Sequence, residues 1–252
     1  MKILTLARDL QRRKARDRQG LFVVEGIRGV EELLRTSIPI KGVLSSTKLP
    51  STSRGAGLAA LIAERGLPAE SVDDKDFASA ADTDSPQGVL AIASAPQARL
   101  SDLPDTKTLR LLVLDGVQDP GNVGTILRTA AALGATATFA LPGTVDLWNS
   151  KVVRSGMGAH FHHPCLSGTW DELAEFRAAR AIEVWAADVS GVPIRSVTPP
   201  ERVALIVGNE GSGLTSQSRE RADRFVALPI ASAVESLNVA VAAGILLYEL
   251  DR

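Results

Sequence analysis

Residues 109–135 read LRLLVLDGVQDPGNVGTILRTAAALGA. The run at 109–114 is almost wholly apolar, the pattern of a strand covered on both faces, as parallel sheets require. A Gly/Pro turn follows at 115–121, and 122–133 predicts a helix whose first turn carries Asn122. The alternation continues with strands predicted at 137–141, 183–187 and 204–207. An apolar helix over 236–250 closes the chain. Strands that alternate with helices in this way indicate an α/β fold built on a parallel sheet.

N-terminal to this region, 94–108 (SAPQARLSDLPDTKT) holds two prolines and little periodicity, which suits an interdomain linker. The first hundred residues alternate again, with strands predicted at 22–24, 42–45 and 89–93 and helices at 27–35 and 56–65. Two α/β domains are therefore expected: 1–97, then a linker at 98–108, then 109–252. No repeat of fixed period is present.

Composition narrows the class. The chain has 252 residues, 45% of them hydrophobic and 23% charged, which excludes a disordered or low-complexity chain. Aromatics are only 4%, so the core must be aliphatic. The apolar stretch at 238–248 is far shorter than the roughly 20 residues that cross a bilayer, so no membrane partner is expected. The N-terminus lacks a signal-peptide core. A single cysteine, Cys165, and three histidines leave no evident metal cluster and fit a reducing, cytoplasmic setting.

The formal net charge is −1, but residues 1–20 carry seven basic side chains against two acids. If this stretch is helical, Arg8, Arg12 and Arg16 fall four apart on one stripe. Such a stripe is either a solvated face or a contact for an RNA backbone.

Three segments of the second half carry candidate chemistry. In the first, Asn122 lies at a helix N-terminus, where unpaired N–H groups gather. Arg128 is flanked by Ile126, Leu127, Ala130 and Ala131, surroundings in which a guanidinium needs an acidic or phosphate partner. The two are six apart and share no stripe unless Asn122 sits in the cap. In the second, IVGNEGSGL (206–214), three glycines follow a buried strand and let a ligand approach the backbone. A dinucleotide fingerprint is disfavoured, because Glu210 lies inside the glycine loop. In the third, LPIASAVESLNVAVAAGILLYE (228–249), Ser236 reads as a helix N-cap and Asn238 as a poor interior helix residue needing polar partners.

Taken in order, DPGNVGTILRTAAALGA (119–135), IVGNEGSGL (206–214) and the segment at 228–249 resemble the SpoU (TrmH-like) branch of the SPOUT RNA methyltransferases, over roughly 109–252. KVVRSGMGAHFHHP (151–164) also resembles that family, and QGLFVVEGIRGVEELL (19–34) resembles an L30e-like RNA substrate-binding domain. The resemblance implies a C-terminal trefoil knot, a homodimer, and transfer of a methyl group from S-adenosylmethionine, without a metal, to a ribose 2′-hydroxyl, with ribosomal RNA preferred. It implies Asn122, Arg128, Glu210, Ser236 and Asn238 as the polar active-site set. Gly208, Leu228 and Leu237, with Ile230 and Leu141 as neighbours, would line the methyl donor's site. Arg12, Arg13, Arg16 and Arg154 are the candidate RNA contacts. The alternatives are a transfer-RNA 2′-O-methyltransferase, a non-catalytic RNA-binding or ribosome-assembly factor, and a nucleotide-dependent oxidoreductase.

Overall fold

A computed structural model describes residues 2–231 and 236–251. The chain forms two compact units, Met1–Gln97 with Trp148–Phe161, and Ala98–Leu147 with His162–Arg252.

The first unit begins with α1 (Ile3–Asp9), α2 (Arg13–Gln19), β1 (Leu21–Glu25), α3 (Ile27–Leu34) and β2 (Ile40–Ser46). It continues with α4 (Ser53–Glu64), β3 (Ala69–Val72), α5 (Asp74–Ala78) and β4 (Val89–Ser94). The sheet order is β1-β4-β2-β3; β4 is antiparallel to both neighbours, and β2 and β3 are parallel. Successive strand residues face opposite sides. Phe22 and Val24 join one core with Val30, Leu33 and Leu58. Leu21 and Val23 join another with Leu4, Ala7, Leu10 and Phe77. Burial on both faces explains why β1 and β4 lack polar alternation.

The basic N-terminal run is not one helix. It breaks between α1 and α2, and the arginines diverge. Arg8 pairs with Asp76 at 2.8 Å, while Arg12 pairs with Asp9. Arg16 is buried and donates to the carbonyls of Leu10 and Gln11 at 2.8 and 2.9 Å. Arg16 thus closes the corner between the two helices, and the continuous Arg8–Arg12–Arg16 stripe expected from sequence is absent.

The second unit holds β5 (Leu109–Asp115), α6 (Pro120–Ala132) and β6 (Ala137–Ala140). The chain then passes through α7 (Ser150–Ser155), which belongs to the first unit. The second unit resumes with β7 (Cys165–Ser167), α8 (Trp170–Arg180), β8 (Glu183–Pro193), β9 (Arg202–Gly208), α9 (Ser216–Arg221), β10 (Arg224–Ala227) and α10 (Val239–Glu249). The second domain expected over 109–252 is therefore interrupted. Val153 sits in a core of the first unit, and Trp148 packs tilted against Phe22 with ring centroids 4.6 Å apart. The expected linker is not a free spacer either: Leu100 and Leu103 enter the second unit's core, and Arg180 donates to the carbonyls of Leu103 and Pro104.

The second sheet has the order β10-β8-β9-β5-β6-β7, and every pair is parallel. Successive strands run outward from β5 through β6 to β7, whereas β9 returns to the other side of β5. Strand order thus reverses between β5 and β9, and the carboxyl ends at such a point are where open α/β sheets bind ligands. Asp115 and Gly208 are register partners at those ends. At the β10 edge, pairing jumps from Phe225↔Ala186 to Val226↔Val192, so 187–191 leave the ladder. No helix among the described residues is long and apolar enough to cross a membrane.

Candidate active site

The site is assembled from three chain segments at the carboxyl ends of β5 and β9. Asp119 caps α6 by accepting from the Asn122 N–H at 2.7 Å, and Pro120 occupies the first turn, where no N–H is needed. Asn122 therefore lies inside the helix. Its amide donates to Glu210 Oε1 at 3.0 Å, and its Oδ1 accepts from the Asn238 amide at 2.9 Å. Residues 88 and 116 positions apart thus meet in one chain of hydrogen bonds.

Asn238 is the N-cap of α10, its Oδ1 accepting from the N–H groups of Ala240 and Val241 at 2.9 and 3.3 Å. This corrects two expectations. The cap is Asn238 and not Ser236, and Asn238 is exposed at the helix start rather than buried within it. The reason is chemical: Asn is among the best N-caps, and here one amide serves both the helix and Asn122.

Glu210 also accepts from the N–H groups of Gln118 and Asp119 at 3.3 and 3.2 Å. Burial pulls its acidity toward the neutral form. The hydrogen bonds from Asn122 and the backbone outweigh that, so the carboxyl sits below its ordinary value. It stays charged, and it anchors the turn that starts α6.

Asn209, which sequence reasoning did not single out, shapes the loop carrying Glu210. Its Oδ1 accepts from the Gly211 and Ser212 N–H groups at 2.9 and 3.0 Å, and its amide donates to the Gly116 carbonyl at 2.8 Å. Buried Asp115 accepts from the Thr215 N–H and the Ser218 hydroxyl at 2.7 and 2.5 Å. Gly208 has its own reason to be glycine, since a Cβ there would lie 2.5 Å from the Gly213 carbonyl carbon. An Asn next to a charged residue in a Gly-rich loop was the available signal for Asn209.

An apolar cleft opens beside this network, lined among others by Val226, Leu228, Ile230, Ser236 and Leu237, with Asp188 at its edge. Leu237 directly precedes Asn238, so cleft and hydrogen-bond chain are contiguous. The structure thus brings Leu228, Ile230, Ser236 and Leu237 together. It does not bring Leu141, which is buried in the sheet core, or Gly208, which backs the loop. Residues 232–235 of the third motif lie outside the described residues.

Arg128 is exposed on α6, while Ile126, Leu127 and Ala130 are buried. Its apolar sequence neighbours thus point to a different face of the helix from its own side chain. Asn122 lies within the helix, so the two side chains also share no stripe. In the first unit, Arg12 and Arg13 are exposed, and Arg154 pairs with Asp82 at 3.3 Å. Arg16 is withdrawn from the candidate RNA contacts by its burial.

Comparison with known proteins adds the relatives. Residues 110–248 match the SpoU rRNA Methylase family, and residues 3–91 match the MRM3-like substrate binding domain. The chain is 34% identical over 244 residues to the 23S rRNA (guanosine(2553)-2′-O)-methyltransferase RlmP of Bacillus subtilis, covering 96% of this chain and 92% of that protein. The AdoMet-bound rRNA methyltransferase of Sinorhizobium meliloti superposes with a TM-score of 0.86 at 30% identity, covering 99% of this chain and 94% of that one. The SpoU methyltransferase AviRb of Streptomyces viridochromogenes, in complex with AdoMet, gives 0.87 at 26% identity, covering 98% and 96%. The ordered motifs, the parallel sheet and these matches agree, and the chain belongs to the SpoU rRNA methylase family.

Proposed function

We infer that this protein transfers a methyl group from S-adenosylmethionine to a ribose 2′-hydroxyl of ribosomal RNA. The observation that carries the reading is the Asn238–Asn122–Glu210 chain beside the apolar cleft. The lining suits the apolar faces of an adenosyl group: Leu228, Ile230 and Leu237 offer apolar side chains there. S-adenosylmethionine supplies a methyl already activated on a sulfonium. What remains for the protein is to hold the hydroxyl in line and to manage its proton and charge.

Glu210 has its oxygens occupied by Asn122, Gln118 and Asp119, so its role is to hold Asn122 in place. Asn122 and Asn238 orient the ribose at the mouth of the cleft, and Ser236 adds a hydroxyl to its wall. Arg128 is assigned to the RNA phosphate and to the alkoxide charge that develops as the proton leaves.

A homodimer is supported by α10, which leaves Val241, Ile245 and Tyr248 exposed at helical spacing. A knotted C-terminal segment is supported by the match of residues 110–248 to the SpoU rRNA Methylase family. The mixed sheet of the first unit, covered by helices on both faces, supports an L30e-like substrate domain. The domain limits of 1–97 and 109–252 are kept as a reading of the chain, with 98–108 grouped with the second unit and 148–161 with the first.

The test is transfer from radiolabelled S-adenosylmethionine to deproteinised ribosomal RNA. Label is expected on ribose; label on a base overturns the reading. Arg128→Ala is expected to abolish transfer while donor affinity stays within a few-fold, and an equal loss of donor binding shows the arginine misassigned.

A further inference from the structure

The first unit carries a second cleft of about 500 Å3, within the range that holds a small ligand. The GMG turn at 156–158 forms part of its wall, and the catalytic chemistry leaves that turn without a role. Val24, Val153 and Phe161 supply an apolar lining, and Met157 stands at the rim with 57% of its surface exposed. Met157 also has a left-handed backbone, φ 49°, which L side chains rarely adopt. The next residue, Gly158 at φ 91°, approaches α3 so closely that a Cβ would lie 2.8 Å from Glu32 Cγ. The chain is thus bent against α3 in a way that presents an apolar side chain to water, an arrangement that costs stability twice over.

Around this apolar patch the charges are mostly paired. Arg54 engages Glu31, Arg35 engages Glu32 at 3.1 Å, and Arg154 engages Asp82 at 3.3 Å. Arg28, in the first turn of α3, makes no ion pair among the described residues, and it lines the cleft. Its helix opens at Gly26, φ 94°, with the Ile27 N–H donating to Gln87 Oε1 at 2.9 Å. An exposed guanidinium held in no ion pair, with Glu31 near enough to feel its charge, beside an adaptable thioether and an aromatic edge matches a phosphate joined to a base.

We propose that this cleft seats one unstacked nucleotide of the RNA, its base against Met157 and Phe161 and its phosphate on Arg28. Arg154 exchanges Asp82 for a neighbouring phosphate as the strand enters. Paired bases cannot enter, so the cleft selects single-stranded RNA. This rests on the RNA-substrate reading above.

Binding of a short single-stranded oligoadenylate, and of a duplex of the same length, tests it by filter retention with the full-length protein. Met157 and Arg28 are exposed, so substitution is expected to leave the thermal midpoint unchanged; Met157→Gly also relieves the left-handed backbone. Met157→Ala, Met157→Gly and Arg28→Ala should each weaken single-strand binding about tenfold and leave duplex binding unchanged. Arg28→Ala alone should lower the salt slope, by about one counterion. Single-strand binding by both Met157 variants that equals wild type, or displacement of the oligonucleotide by inorganic polyphosphate as readily from wild type as from Met157→Ala, overturns the proposal. If wild type binds as expected but methylates no ribosomal RNA, the enzymatic reading fails and the cleft assignment stands.

Discussion

The basic N-terminal run and the Asn238–Asn122–Glu210 chain make opposite use of polar side chains. The first is dense in charge, yet much of it is paired within its own unit: Arg8, Arg12 and Arg18 neutralise Asp76 and Asp9 at the surface, and buried Arg16 holds a helix corner. The second has a single formal charge and joins three distant segments into one site. Charge density in sequence therefore locates solvent-facing and corner-bracing residues as readily as it locates function. Position at strand ends and helix starts, where backbone groups need partners, marks the residues that meet across distant segments.

The largest contrast is expected from backbone crowding. Gly208→Ala places a methyl 2.5 Å from the Gly213 carbonyl carbon and must displace the loop that carries Glu210. Methyl transfer should fall by about a hundredfold, since a misplacement of about 1 Å has that effect. Near-wild-type turnover would separate the loop from the chemistry. A pH effect follows in size. Burial holds His163, beside the Thr138 hydroxyl at 2.8 Å, down to about 4. The unfolded chain therefore binds a proton that the folded one refuses between about 6.5 and 4, so stability falls as pH drops through that interval. The loss reaches about 3 kcal/mol and is checked by denaturant titration across pH, where His163→Gln should flatten the slope.

Arg16→Ala should destabilise the first unit by about 2 kcal/mol, because the carbonyls of Leu10 and Gln11 lose their donor. Arg13→Ala, at an exposed side chain, should change stability by less than about 0.5 kcal/mol. Equal losses would erase the distinction between corner and surface arginines. Asn238→Ala should cost about 1 kcal/mol for the lost cap, as well as turnover. Asn238→Ser keeps a capping oxygen but drops the bond to Asn122, so it should recover stability and not activity. Smallest is the association effect: Tyr248→Glu on the exposed stripe of α10 should shift sedimentation toward the monomer while leaving the fold intact.

Both domains were legible as α/β from apolar runs and turn residues, and the parallel second sheet from the two-sided burial of 109–114. Strands β3, β7 and β10 were not; they span four, three and four residues, too few for a periodic signal. Asn122, Glu210 and Asn238 stood out as candidates because they lie in three ordered motifs that resemble the SpoU family. Their mutual hydrogen bonds were not legible, since nothing in a spacing of 88 or 116 residues fixes a 3 Å contact.

The amino-acid order by itself determined which stretches become buried strands, where helices start, and which turn residues let the backbone bend; these depend on neighbours a few positions away. Tertiary structure alone decided that 148–161 leaves the second unit for the first, that Arg16 is internal while Arg128 is exposed, and that Asn238 caps one helix while bonding to another. Those outcomes depend on which surfaces meet once the sheets have formed. Hydrogen bonds and burial between distant segments arise only then, because each group exchanges water for whatever partner packing supplies.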